Sequence, residues 1–254
     1  MVPIVLLRGL LRESGHWSEL VAELKSRNPQ IELITPDVKG NGALHQERSP
    51  SSLEAMLPGV MAQLPNDCQR YHLVAISMGS MLASVWAKRY PHCVASLTLI
   101  NPSFARFSPP WERINLAKLS VILVSRLKGQ VSFQTKLLDY TYPVHATKPA
   151  ILASHIALAK HHPVSMGNAI RQLLAAARFR GFASAPDCPC QVIVSLDDQL
   201  VSSLAGKHIA TAWQVPLKTF ESNAHDLPLA EPEALAAHLL SWLEQPTTTS
   251  THTD

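Results

Sequence analysis

The chain has 254 residues, an apolar fraction of 46% and a charged fraction of 16%. That is enough material for one large domain with a sizeable core, and it excludes a disordered or low-complexity chain. With 22 Lys+Arg against 19 Asp+Glu, the net charge is +3 with His neutral. A balance that small does not predict a nucleic-acid binder, and no apolar run reaches the ~18–20 residues of a membrane span.

The first residues, Met1-Val2-Pro3-Ile4-Val5-Leu6-Leu7, lack a basic leader region, so the expectation is a chain that starts at its first strand with no secretory signal. Ile4–Leu7 predicts that strand and Trp17–Ser26 a helix. A strand at Ile31–Ile34 and a helix at Ser52–Leu64 follow. Next come a strand at His72–Ile76, a helix at Gly79–Arg89 and a strand at Val94–Ile100. After a long interval, Gln191–Val194 and Leu217–Phe220 predict strands, with helices at Val201–Trp213 and Pro232–Leu243. The strand runs are continuously apolar rather than alternating, as in a parallel sheet covered on both faces. Strand–helix alternation therefore predicts an α/β doubly wound fold.

Residues 101–189 interrupt this pattern. They read as mainly helical, with an ambiguous Val121–Val124 that could be a strand. Helices are expected at Lys148–Lys160 and Ser165–Phe179. The second would have Ser165 as N-cap and Ile170, Leu173, Leu174 and Ala177 on one face. We expect a core of residues 1–100 and 190–246, a helical cap or lid at 101–189, and a disordered tail at 247–254. Such an insertion would lie at the carboxyl ends of the strands, where sheets of this kind bind ligands.

The chemistry concentrates in Leu73-Val74-Ala75-Ile76-Ser77-Met78-Gly79. An apolar strand runs straight into Ser77, a helix follows at once, and small residues stand two before and two after the serine. This is the nucleophile-elbow pattern, in which a tight strand–turn–helix exposes the serine oxygen. The helix N-terminus adds N–H donors and a positive dipole end. A serine needs a base, and the base needs an orienting acid. Asp197 and Asp198 follow the strand Gln191–Val194, and His225 follows the last strand, so acid and histidine come after the serine in the order known for such a triad.

On these residues the chain resembles the α/β-hydrolases over about residues 3–243. The elbow matches at Ala75–Gly79, with Ala in the first Gly position. The acid loop matches at Ser195–Val201, an alignment that selects Asp198 over Asp197, and the histidine loop matches at Ala224–His225. The first-strand turn reads Arg8-Gly9-Leu10 where the family usually has His-Gly, and Asp37–Gly42 matches a D-x-x-G-x-G turn. The resemblance implies a triad of Ser77, Asp198 and His225, with an oxyanion hole from the backbone N–H groups of Leu10 and Met78. It implies an α/β-hydrolase fold that lacks the leading hairpin of many members, and no metal or organic cofactor.

Other residues are weighed against bland roles. His16, beside Trp17, could line the pocket, but packing at a helix start is expected. The pair His161-His162 has no third ligand at helical spacing, so a solvated turn is expected and no metal. His145 and His155 receive no role. Gly40-Asn41-Gly42 is too short for a phosphate loop and lacks the following Lys. The four cysteines are Cys68, Cys93, Cys188 and Cys190. The C-x-C at 188–190 fits neither a redox C-x-x-C nor a zinc pair, so reduced structural thiols and a cytoplasmic location are expected.

Charge is unevenly spread. Residues 101–180 contain 11 Lys+Arg but only Glu112 and Asp139, hence +9, and the rest of the chain is −6. Arg171 and Arg178, seven apart, share a helix face and form a candidate patch for an anionic substrate or acidic carrier. The alternative is a merely solvated face. Three functions follow as expectations. The first is a serine esterase cleaving a small-molecule carboxylic ester through an acyl-enzyme. The second is a thioesterase or esterase acting on acyl-carrier-protein- or CoA-linked groups. The third is a non-catalytic ligand-binding member of the fold.

Overall fold

The computed structural model describes residues 2–65, 70–143 and 148–244. The tail from Pro246, Cys68 and His145 lie outside the described residues. The expected strands form β1 (Ile4–Leu7), β2 (Leu33–Ile34), β3 (Tyr71–Ile76), β4 (Val94–Ile100), β5 (Cys190–Ser195) and β6 (Leu217–Phe220). All neighbours pair in parallel, in the order β2-β1-β3-β4-β5-β6. The run at 31–34 shortens to two residues because the Ile31 N–H closes a turn onto Asn28 O at 3.1 Å.

Alternate residues of each strand serve opposite faces. Ile4, Leu6, Val74, Ile76, Ile100 and Ile193 pack against α1 (Ser18–Arg27) and against a C-terminal helix, Pro232–Leu243. Val5, Leu7, Leu73, Ala75, Leu97, Leu99, Val192 and Val194 pack with α2 (Leu53–Met61), α3 (Met78–Arg89) and a later helix, Ser203–Trp213. The sheet is thus doubly wound, which explains the continuously apolar strands. β6 departs most, because it is one of the two edge strands and its Leu217, Lys218 and Thr219 are exposed.

Between β4 and β5 lie α4 (Pro110–Arg113), α5 (Leu116–Ser125), α6 (Gln130–Thr141), α7 (Lys148–His161) and α8 (Met166–Arg178). After β5 come α9 (Ser203–Trp213), α10 (Leu227–Ala230) and α11 (Pro232–Leu243). Val121–Val124, ambiguous in sequence, is helical inside α5. The Asn115 side chain caps that helix by accepting the Lys118 N–H at 3.1 Å, and the cap outweighs the β-branched residues.

The face expected for α8 is corrected. Ile170 and Leu174 are exposed, while Asn168, Ala169, Gln172 and Ala175 are buried. The two amides go inside because each finds polar partners there. Asn168 accepts from the Ser49 N–H at 3.0 Å and donates to Glu47 O at 2.9 Å. Gln172 donates to Asn41 Oδ1 at 2.7 Å and to Ser49 Oγ at 2.9 Å, and its own oxygen accepts the Leu11 N–H at 3.2 Å. Once its hydrogen bonds are supplied, a buried amide no longer carries its desolvation penalty.

Candidate active site

Strand order reverses between β1 and β3, so a crevice opens at their carboxyl ends, the usual ligand position in such sheets. Ser77 stands at the end of β3 and immediately before α3, with φ 56° and ψ −122°. That is an uncommon conformation for a residue with a side chain, and such outliers cluster at functional sites. The surroundings hold it. The Ser77 N–H donates to Ile100 O at 3.0 Å, and Ser80 Oγ donates to Ala75 O at 2.8 Å. Gly79 is required by contact, since a Cβ there would lie 2.3 Å from Leu7 O. A Cβ on Gly9 would lie 3.0 Å from Ser77 Cβ, which measures how closely the turn after β1 approaches the serine.

In that turn the Leu11 N–H is bound to Gln172 and the Arg12 N–H to Gly9 O at 3.3 Å. The Leu10 N–H makes no hydrogen bond among the described residues. Met78 opens α3, so its N–H belongs to the first turn, whose donors have no partner within the helix. Both donors expected for an oxyanion therefore remain available.

The loop after β5 carries Asp197 and Asp198 in different settings. Asp197 is exposed. Asp198 turns inward: its Oδ2 lies 2.6 Å from His225 Nδ1, and its Oδ1 accepts the N–H groups of Leu200 at 2.8 Å and Val201 at 3.1 Å. The Asp198 side chain is 1% exposed. Burial pulls the His225 pKa down, but the charge and hydrogen bond of Asp198 outweigh it, so the imidazole titrates above its ordinary range. Asn101, with φ 44°, ties this corner together. It donates to His225 O at 2.9 Å and accepts the Ser195 N–H at 2.8 Å.

Ser77 and His225 line one cavity, about 820 Å³ out to its open mouth, without a hydrogen bond between them. Its other walls are mostly apolar and include Leu10, Ile76, Leu119, Ile122 and Leu137, together with Leu173 of α8. Two arginines also line it. Arg8 forms a two-bonded ion pair with Asp226, at 3.0 and 2.5 Å, and lies over Trp17 at 4.8 Å. Burial raises the Asp226 pKa, but Arg8 holds it below the usual carboxylate range. The residue that replaces the family's usual histidine thus fastens the first turn to the position after His225. Sequence reasoning treated Arg8 only as a departure. The usable signal was an unusual base in one candidate loop and an acid in another. Arg12, Asn101, Gln172 and Asp226 carried no motif and were missed.

Arg171 is half-buried, Arg178 is exposed, and neither lines this cavity. Several other bases of residues 101–180 are occupied locally. Lys136 and Lys148 both contact Asp139, and Arg113 donates to Ala176 O and Ala177 O. His16 packs at a helix start, where its Nδ1 accepts the Glu13 N–H at 3.1 Å. His162 contacts Glu13 at 3.0 Å. Among the described residues, no three His, Cys, Asp or Glu side chains gather as metal ligands. No helix among them is long and apolar enough to cross a membrane.

Comparison with known proteins agrees with this fold. Residues 4–238 match the model of the alpha/beta hydrolase family, and the chain belongs to that family. An Escherichia coli protein named "Putative carbamate hydrolase RutD" is 25% identical over 249 residues, covering 94% of this chain and 90% of the relative. An enol-lactonase structure from Burkholderia xenovorans superposes with a TM-score of 0.77 at 18% identity, covering 96% of this chain and 92% of that one. A thermophilic esterase from Thermogutta terrifontis superposes at 0.71 and 21% identity, covering 96% and 89%. The chain is a hydrolase by family.

Proposed function

We propose that the protein hydrolyses a carboxylic ester by acyl transfer to water, with Ser77 as nucleophile. The observation that carries this reading is the 2.6 Å Asp198–His225 hydrogen bond in the cavity that Ser77 lines. Asp198 bonds Nδ1, which leaves Nε2 of His225 for the serine proton. Ser77 Oγ attacks the carbonyl carbon and its proton passes to His225. The tetrahedral oxyanion lies between the N–H groups of Leu10 and Met78. Collapse expels the alcohol, which takes the proton back from His225. Water, deprotonated by His225, then attacks the acyl-enzyme and releases the acid and free Ser77. Residues 101–189 act as the lid over this cavity.

A second reading keeps the residues and changes the substrate to a carbamate, on the printed name of the Escherichia coli relative. Both substrates pass through the same tetrahedral oxyanion, so a panel of esters and carbamates with one shared leaving group separates them. The reading works at cytoplasmic redox poise, in keeping with Cys188 and Cys190 as free thiols.

A fluorophosphonate probe should label the protein at one site, and Ser77→Ala should abolish both labelling and ester turnover. Equal labelling of Ser77→Ala would remove the assignment.

A further inference from the structure

Arg12 is the feature of the cavity that acyl transfer does not use. Its side chain is 6% exposed, and its Nη2 has no hydrogen-bond partner among the described residues. The Nη1 has only neutral neighbours, His155 Nδ1 at 3.3 Å and Gln134 Oε1 at 3.5 Å. No carboxylate among the described residues lies within ion-pair distance. Asp226, which attracts Arg12 from further off, gives both oxygens to Arg8, and Glu13 is bonded to His162. Burial depresses the Arg12 pKa to about 10, so the group stays cationic at neutral pH. Burial also holds His155 down to about 3 and His16 well below its ordinary range, so neither imidazole adds charge.

Arg12 therefore places a positive charge with no hydrogen-bonded counter-ion on the wall of a mostly apolar cavity, and Asp226 and Glu13 act on it only from beyond ion-pair distance. A buried cation without a counter-charge is strongly unfavourable. A ligand that brings one negative charge removes that penalty.

We propose that the Arg12 guanidinium binds a carboxylate of the substrate inside the cavity, so that the ester hydrolysed carries a free carboxylate on an apolar chain. The proposal rests on Ser77 as the nucleophile for its turnover, but not for its binding. One planar carboxylate matches the guanidinium fork and its single charge. A phosphate dianion would overshoot that charge. The anion preference thus belongs to Arg12 inside the cavity, rather than to Arg171 and Arg178 on the outer side of α8.

The test compares mono-p-nitrophenyl adipate with p-nitrophenyl hexanoate, which share leaving group and acyl length. Wild type should favour the acidic ester in kcat/KM. Arg12→Met should reduce that preference roughly 10–100-fold, the range expected for one charge-assisted hydrogen bond, and Arg12→Lys should keep part of it. The ratio of two substrates on one variant cancels losses from folding. Binding is read separately by thermal melts of Ser77→Ala with monomethyl adipate, which should raise Tm, whereas Ser77→Ala with Arg12→Met should show no rise.

Equal kcat/KM on the two esters in wild type, or an unchanged ratio in Arg12→Met, overturns the proposal. A larger Tm rise with butyl phosphate than with monomethyl adipate also overturns it. If wild type hydrolyses neither ester, the Ser77 reading has failed, and the melts alone decide the carboxylate site.

Discussion

Asp198 and His225 show how much a single hydrogen bond settles. Two adjacent aspartates follow β5, and only the one whose second oxygen is held by the Leu200 and Val201 N–H groups reaches the imidazole. That anchoring makes the carboxylate a fixed orienter rather than a mobile charge. In the proposed mechanism His225 acts as a base only when neutral, and Asp198 raises its pKa, so the acid limb of kcat/KM should lie above the ordinary histidine range of ~6.5. Asp198→Asn should lower kcat about 10⁴-fold and move the remaining limb to lower pH, read from pH–rate profiles of the two proteins. A limb that stays in place would mean that another group governs it.

Elements hold these residues through contacts at their ends. Gly79 lets α3 start against the carbonyl of Leu7, and Gly79→Ala should cost ~3 kcal/mol in urea unfolding, the upper end for overpacking, since backbone rather than a flexible side chain stands 2.3 Å away. The Arg8–Asp226 pair joins the turn after β1 to the start of α10. Arg8→Met should destabilise by up to ~3–5 kcal/mol because it removes the hydrogen-bonded partner of the buried Asp226. Arg8→Met combined with Asp226→Leu should cost much less than the sum of the two, as a double-mutant cycle would show.

The same contacts explain what could be read from the chain beforehand. Strands, the elbow, Asp198 and His225 leave local marks: apolar runs, small residues beside a serine, an acid or histidine just past a strand. The buried face of α8 leaves none. Its apolar stripe at Ile170 and Leu174 points outward, because Asn168 and Gln172 take their partners from Ser49, Asn41 and Leu11, more than 100 positions away. Arg12 was illegible for the same reason: its meaning lies in the absence of a hydrogen-bonded counter-ion, which only the fold can arrange.

Across the whole molecule, the buried histidines make stability depend on pH. His16 and His155 pack edge to face at 4.6 Å beside Arg12, and burial lowers both pKa values. A histidine with a depressed folded pKa is protonated first in the unfolded chain. Its contribution is therefore complete above ~6.5 and is lost as pH falls towards its folded value, about 3 for His155. Unfolding free energy should fall between pH 6.5 and 4 by up to ~1.4 kcal/mol per pH unit for each histidine. Urea titrations at several pH values check this, and His155→Gln should flatten the slope. His225 has the opposite sign: its raised folded pKa adds stability at low pH that fades as pH rises through that value.

The ion pair between Arg8 and Asp226 also sets an order of events during synthesis. The partners stand 218 positions apart. At about 5–20 residues per second, roughly 10–45 s separate their appearance at the ribosome. Through that interval the Arg8 guanidinium has no Asp226 to enter the interior with, and the turn that presents Leu10 to Ser77 lacks its fastening. Strands β1 to β4 can already be complete while the turn after β1 stays open. The candidate active centre is therefore completed only when the final part of the chain arrives to close the pair.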